Sequence, residues 1–218
     1  MNLSIIKNIE ENLSKEIDEP RPYIGASSIG NPCERAIWYG LHQSESKIVT
    51  EKQRLTFEIG RRLEAMILDL INIDNMFMRS NIYLECKEYP LFQGHCDAVL
   101  YDSITFKPIL LIEIKTAKDS SFNTFVKKGL RLWYPEYYDQ VQSYMGMSDV
   151  HECYMLVLNK DTSELAEELV LYDEIHFMGL VEKAKKIGMS ADMPKRINES
   201  ASYFKCKYCF YNKVCHDL

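Results

Sequence analysis

Two groups of residues have the types and spacing that chemistry requires. The first lies in Gly94-His95-Cys96-Asp97-Ala98-Val99-Leu100 and, after a turn, Ile109-Leu110-Leu111-Ile112-Glu113-Ile114-Lys115. Side chains alternate faces along a strand, so Glu113 and Lys115 project together while Leu110, Ile112 and Ile114 fill the other side. A carboxylate and an ammonium on an apolar strand are costly to bury unless they pair or bind a cation. A structural Glu-Lys pair is one solution. Hairpin pairing also brings Asp97 beside Glu113, and a hard divalent ion, Mg²⁺ or Mn²⁺, relieves the repulsion of two adjacent carboxylates through oxygen ligands. His95 shares the face of Asp97, either bordering the site or as a bystander.

The second group is sulfur. Cys206-Lys207-Tyr208-Cys209 followed by Cys215 forms a C-x2-C-x5-C tail, and Cys33 offers a fourth thiol near the other end. Four thiolates complete either a zinc site or an iron-sulfur cluster, and the spacing leaves both open. His216 is a substitute ligand in the zinc case. Cys86, Cys96 and Cys153 sit in apolar, strand-like stretches and read as core.

The elements that must position these residues follow from periodicity and caps. Leu3, Ile6, Ile9, Leu13 and Ile17 predict an amphipathic helix over 2–17, ended by Pro20-Arg21-Pro22. A Gly- and Ser-rich loop follows. Asn31 as N-cap and Pro32 at the first position predict a helix over 32–39 with Cys33 in its first turn. Thr50 and Gln53 form a capping-box pattern ahead of a helix over 51–73, which carries Gly60 and Glu64 one turn apart. Strands are expected over 82–88, 92–101 and 108–115 as an antiparallel meander. A helix over 121–128 closes at Gly129, and Pro135 opens another with Gln140 and Tyr144 one turn apart. Residues 153–158 form a buried strand, 168–172 an edge strand, and Asp173 caps a helix reaching Ile187. The remainder reads as loop and cysteine-rich tail. The fold class is therefore α/β.

With 218 residues, 46% of them hydrophobic, the chain supports one core. The expected organisation is one domain over 1–218, with a cluster-bearing segment at 18–50, a core at 51–190 and a tail at 191–218. Apolar runs such as 153–158 are far shorter than the roughly 20 residues of a membrane span. Lys7, Glu10, Glu11, Lys15, Glu16, Asp18 and Glu19 leave no apolar signal-peptide core. A cytoplasmic location is expected, where thiols stay reduced. The net charge of −6 argues against bulk electrostatic attraction to nucleic acid. Lys115, Lys118, Lys127, Lys128 and Arg131 nevertheless form one basic cluster, and Lys183, Lys185, Lys186, Lys195 and Arg196 another; either is a nucleic-acid face or a solvated helix face.

The spacing of Asp97, Glu113 and Lys115 resembles the signature of the PD-(D/E)XK nucleases. Gln140-Val-Gln-Ser-Tyr144 is similar to the Gln-x-x-x-Tyr element of their RecB-type branch, and Gly60-Arg-Arg-Leu-Glu64 resembles that branch's upstream metal ligand, often His in relatives. The resemblance implies a central mixed β-sheet flanked by helices, with Glu64, Asp97 and Glu113 as ligands of Mg²⁺ or Mn²⁺. It implies phosphodiester hydrolysis in DNA, with Lys115 orienting the water or countering developing charge, and Gln140 and Tyr144 facing the DNA backbone or supporting the lysine. RecB-type nucleases of the AddB class and the CRISPR adaptation exonucleases carry one cysteine before the core and three after it. By that resemblance Cys33, Cys206, Cys209 and Cys215 hold a structural 4Fe-4S cluster joining the two ends of the chain, with zinc as the alternative.

The function expected is a metal-dependent DNA exonuclease of recombination, repair or CRISPR-type DNA processing, acting on single strands or duplex ends. No phosphate-binding loop of the Gly-x-x-x-x-Gly-Lys-Ser/Thr type is present, so a helicase, a recombinase or CRISPR adaptation proteins would act in trans, and a homo-oligomer is compatible. The competing expectation is a non-catalytic DNA-binding module with a structural Fe-S or zinc site, in which the acidic centre only pairs charges.

Overall fold

The computed structural model describes residues 4–15, 21–42 and 47–216. In chain order the elements are α1 (Ile5–Ser14), β1 (Ile24–Gly25), α2 (Ala26–Ile29), α3 (Glu34–His42), α4 (Glu51–Leu70), β2 (Met76–Glu85), β3 (Phe92–Asp102) and β4 (Pro108–Ala117). There follow α5 (Asp119–Lys128), α6 (Leu130–Trp133), α7 (Pro135–Met147), β5 (Glu152–Asn159), β6 (Leu165–Leu171), α8 (Glu174–Gly188), α9 (Phe204–Lys207) and α10 (Asn212–His216).

The six strands make one mixed sheet. β2, β3 and β4 are the expected antiparallel meander, β5 runs parallel to β4, and β6 returns antiparallel at the edge. β2 lines one edge of β3 throughout. On the other edge β1 pairs with Phe92 and Gln93, whereas β4 pairs only from Ala98 to Tyr101. Between these stretches, at residues 94–97, that edge of β3 is free of ladder partners. Helices cover both faces. α4 packs Ile67 and Leu68 on Ala98, Leu100, Ile112 and Ile114. α7 and α8 pack Val141, Tyr144, Phe177 and Val181 into the cluster containing Val99, Leu111, Met155 and Val157. This is the helix-flanked mixed sheet expected from the sequence, and it places Leu111 and its i+2, i+4 neighbours toward α7.

Local chemistry sets the boundaries. The Thr50 hydroxyl accepts from the Gln53 N–H and the Gln53 side chain accepts from the Thr50 N–H, completing the capping box. Asp173 accepts from the His176 N–H at the start of α8, and Gly129, at φ 73°, ends α5.

Several boundaries differ from expectation. The N-terminal helix spans Ile5–Ser14, and residues 2, 3, 16 and 17 of the expected span lie outside those described. α4 stops at Leu70 rather than 73, because Ile71 adopts extended backbone. β2 begins at Met76, six residues early, since it pairs along the whole of β3 despite a left-handed Asn81 at φ 52°. The expected loop after Pro22 contains β1 and α2. The expected tail contains α9 and α10. Cys33 is not in a helical first turn: the Asn31 carboxamide accepts from the Cys33 N–H, and the Cys33 carbonyl accepts from Ala36 and Ile37, so Cys33 caps α3 from outside.

Candidate active site

The site lies where β3 and β4 part. Ala98 opposite Ile112 is the last paired rung, and Asp97 and Glu113 follow it on the two diverging strands. The Ile114 N–H is taken by the Asp97 carboxylate, Oδ2 accepting at 2.7 Å, which fixes Asp97 in the fork. Glu113 is 1% exposed. Its Oε1 accepts from the Lys115 ammonium at 2.5 Å, while its Oε2 is buried and has no hydrogen-bond partner among the described residues.

The electrostatics follow from burial. Desolvation raises the Asp97 carboxyl above its ordinary range, against the pull of Lys115 and of the Ile114 hydrogen bond. Desolvation pushes Glu113 up to about 8; Lys115 opposes this, and Asp97 and Glu64 add to it. Glu64, half-buried on α4, is also raised, first by desolvation and then by Asp97. Burial disfavours charge on Lys115, but Glu113 and Asp97 prevail and keep it an ammonium. Glu64, Asp97 and Glu113 thus lie within electrostatic reach of one another and of Lys115, although among the described residues the three carboxyl groups are not gathered so as to hold a single metal ion.

α7 supplies the roof. Its N-terminal turn is started by Pro135, and Tyr137, Gln140, Val141 and Tyr144 repeat on the face turned to the sheet. The Lys115 ammonium lies 5.0 Å from the centre of the Tyr137 ring, a cation-π contact. Gln140 and Tyr144 are both buried, and the Gln140 amide donates to the Tyr144 hydroxyl at 2.8 Å. Burial and then Glu113 raise the Tyr144 phenol well above its usual range. Gly94 admits the Tyr144 ring: a Cβ there would lie 2.7 Å from Tyr144 Cε1 and 2.8 Å from the Ala26 Cβ. The sequence reading missed Tyr137. Its signal was its place three and seven residues before Gln140 and Tyr144 on one helix face.

The structure therefore groups Glu64, Asp97, Glu113 and Lys115, with Gln140 and Tyr144 beside them. His95 is exposed and lines a cavity of about 380 Å³ together with Gln140 and Tyr144. The second basic cluster is engaged within the fold. Lys183 donates to the Ile29 and Asn31 carbonyls, Lys186 pairs with Glu34, and Arg196 donates to the Cys215 carbonyl.

The four remote cysteines also become neighbours. Burial raises the thiols of Cys206 and Cys209, and the nearby Cys33 and Cys215 sulfurs raise them further. Arg35 reaches Cys215 Sγ at 3.9 Å. The Tyr39 hydroxyl is buried beside this group without a hydrogen-bond partner among the described residues, its pKa raised by burial and then by Cys215. Among the described residues, no three His, Cys, Asp or Glu side chains are gathered so as to hold a single metal ion. Cys86, Cys96 and Cys153 are buried in the core.

No protein-family model matches the chain, and no curated protein matches its sequence. Among solved structures, SSO0001 superposes with a TM-score of 0.59 at 17% identity over 99% of this chain and 98% of that one. An alkaline exonuclease from Laribacter hongkongensis, LHK-Exo, superposes with a TM-score of 0.57 at 15% identity, covering 83% of this chain and 90% of its own. The fold is shared with that exonuclease. LHK-Exo in complex with dAMP gives a TM-score of 0.56 at 16% identity over 77% of this chain and 87% of that one. At these identities the likeness is one of fold alone. No helix among the described residues is long and apolar enough to cross a membrane.

Proposed function

We propose that this chain is a divalent-metal-dependent deoxyribonuclease of the PD-(D/E)XK type, an exonuclease as its structural neighbour LHK-Exo is named. The observation that carries this is the unpartnered, buried Oε2 of Glu113 in the fork with Asp97. A buried carboxylate oxygen without a donor is costly, and a cation facing it removes the cost. Asp97 and Glu113 would hold Mg²⁺ or Mn²⁺, with Glu64 reaching it directly or through water. Two or three carboxylates suffice, because such ions keep several waters and take the rest of their oxygens from substrate phosphates. The ion would supply Lewis-acid activation of the phosphate and of the attacking water.

The chain's own residues do the rest. Lys115, held by Glu113 and capped by the Tyr137 ring, presents a fixed positive charge where the phosphate gains negative charge. Its rigid placement incurs no reorganisation cost as that charge develops. Gln140 and Tyr144 hold one another and support the roof over the fork. Lys118 at the N-cap of α5, Lys127 and Lys128 in its last turn, and Arg131 in α6 would provide positive charge for the DNA backbone.

Cys33, Cys206, Cys209 and Cys215 would hold a 4Fe-4S cluster as a structural clasp between α3 and the tail. What supports this reading is the donor set itself, four thiols brought within electrostatic reach of one another from the two ends of the chain. The Tyr39 hydroxyl lies within electrostatic reach of Cys215 and Cys209, where a cluster-bound thiolate would accept its hydrogen bond. Protein purified without oxygen is then brown, and Cys209→Ser is colourless; a colourless wild type with stoichiometric zinc replaces iron with zinc.

The test of the main reading is digestion of linear and closed circular DNA with Mg²⁺ or Mn²⁺. The expected result is metal-dependent release of nucleotides from linear DNA, lost in Asp97→Ala and Lys115→Ala variants that still fold. Undiminished cleavage by both variants overturns the assignment. DNA binding without cleavage under either metal makes the chain a binding module.

A further inference from the structure

Tyr83 on β2 stands directly opposite His95 on β3, and their rings lie 5.4 Å apart. Cross-strand aromatic pairs stabilise sheets, but they do so best when covered. Here Tyr83 is 49% exposed and His95 is exposed as well. The Tyr83 ring is nevertheless fixed, because its hydroxyl donates to Glu85 Oε2 at 2.7 Å and Gln93 reaches the same oxygen.

His95 lines a cavity of about 380 Å³ together with Arg21, Tyr23, Ser27, Gln140 and Tyr144, and Tyr83 stands beside His95 on the neighbouring strand. That cavity supplies a guanidinium, hydroxyls, an amide and two further aromatic rings, Tyr23 and Tyr144, of which the Tyr144 phenol feels Glu113 and Asp97. His95 lies two residues before Asp97, about 7 Å along the strand. A π surface of fixed orientation, one nucleotide's reach from a carboxylate fork and open to solvent, suits an unpaired base.

We propose that Tyr83 and His95, with Tyr23 of the cavity lining, form a stacking platform for one unpaired nucleobase of the substrate strand. The strand therefore lies single-stranded where it meets the fork, and a duplex must fray at its end to be accepted. This inference rests on the nuclease reading for its biological sense, but its test does not.

The full-length protein is titrated, with EDTA present, into a fluorescein-labelled oligothymidylate and into a blunt duplex of equal length, with anisotropy as the readout. Tyr83→Ala and His95→Ala are expected to weaken single-strand binding about five- to a hundredfold while changing duplex binding little. Tyr83→Trp is expected to keep wild-type affinity. A single abasic site walked through the oligonucleotide should reproduce the Tyr83→Ala loss at one position in the wild type and add nothing at that position in the variant. Wild-type affinity in folded Tyr83→Ala, or equal losses for single strand and duplex, overturns the platform. Failure of the wild type to cleave any DNA with Mn²⁺ would refute the nuclease reading alone.

Discussion

Loading of the carboxylate fork with a divalent ion must release a proton, and the amount follows from Glu113. Its carboxyl stands at about 8 instead of the ordinary 4.5, chiefly through desolvation, with Asp97 and Glu64 adding to it and Lys115 opposing. Near neutral pH the ion-free carboxyl is therefore largely protonated, whereas an ion-ligating carboxylate is not. Mg²⁺ binding at pH 7 is expected to release up to about one proton from this group, and the release declines as pH rises above the raised value. Below pH 8 the apparent affinity rises about tenfold per pH unit and then levels. The sign for stability is the opposite. With its folded pKa raised, Glu113 contributes fully below about pH 4.5, and that contribution is lost in the ion-free protein as pH climbs through the raised folded value. Isothermal titration calorimetry of Mg²⁺ in two buffers of different ionisation enthalpy counts the protons directly. Release that is near zero at pH 7, or that persists unchanged at pH 9, or that survives in Glu113→Gln, would refute the reasoning.

Further outcomes are expected elsewhere around the fork. Lys115→Ala should lower the rate of DNA cleavage about 10²- to 10³-fold with unchanged far-ultraviolet circular dichroism, since it removes the fixed charge proposed to face the phosphate; single-turnover kinetics decide this. Tyr144→Phe strands the Gln140 amide in a buried place and should reduce unfolding free energy by about 1–3 kcal/mol in urea melts. Gly94→Ala drives a methyl against Tyr144 and Ala26 and should cost about 1–3 kcal/mol, with a lowered Tm even in the absence of metal. A Tm equal to wild type would mean that α7 yields at that point.

Much of the fold was legible because the signals are local. Thr50 and Gln53, Asp173, Gly129 and Pro135 each mark a boundary by satisfying or ending a helix's backbone hydrogen bonds, and the structure keeps all four. The alternation around Glu113 correctly assigned its face, because β4 is covered on both sides and tolerates no slip. What failed was tertiary. β1 and α2 are made from a Gly- and Ser-rich stretch whose propensity says loop; pairing of Ile24 with Phe92 and burial of Ala26 and Ile29 against α7 order it. Asn31 was expected to cap a helix and instead turns the chain onto Cys33. The Asp97, Glu113 and Lys115 spacing was legible, but not the parting of β3 from β4 that leaves Glu113 Oε2 without a donor. That gap depends on where β1 stops and β4 begins along one edge, which no single strand encodes.

The central claim is that one ion lies between Asp97 and Glu113. Diffraction data collected at the manganese absorption edge from crystals grown with Mn²⁺ test it most directly. A single strong anomalous peak about 2.1 Å from a carboxylate oxygen of each residue is predicted. An empty fork, with Mn²⁺-dependent cleavage retained in solution, would contradict it.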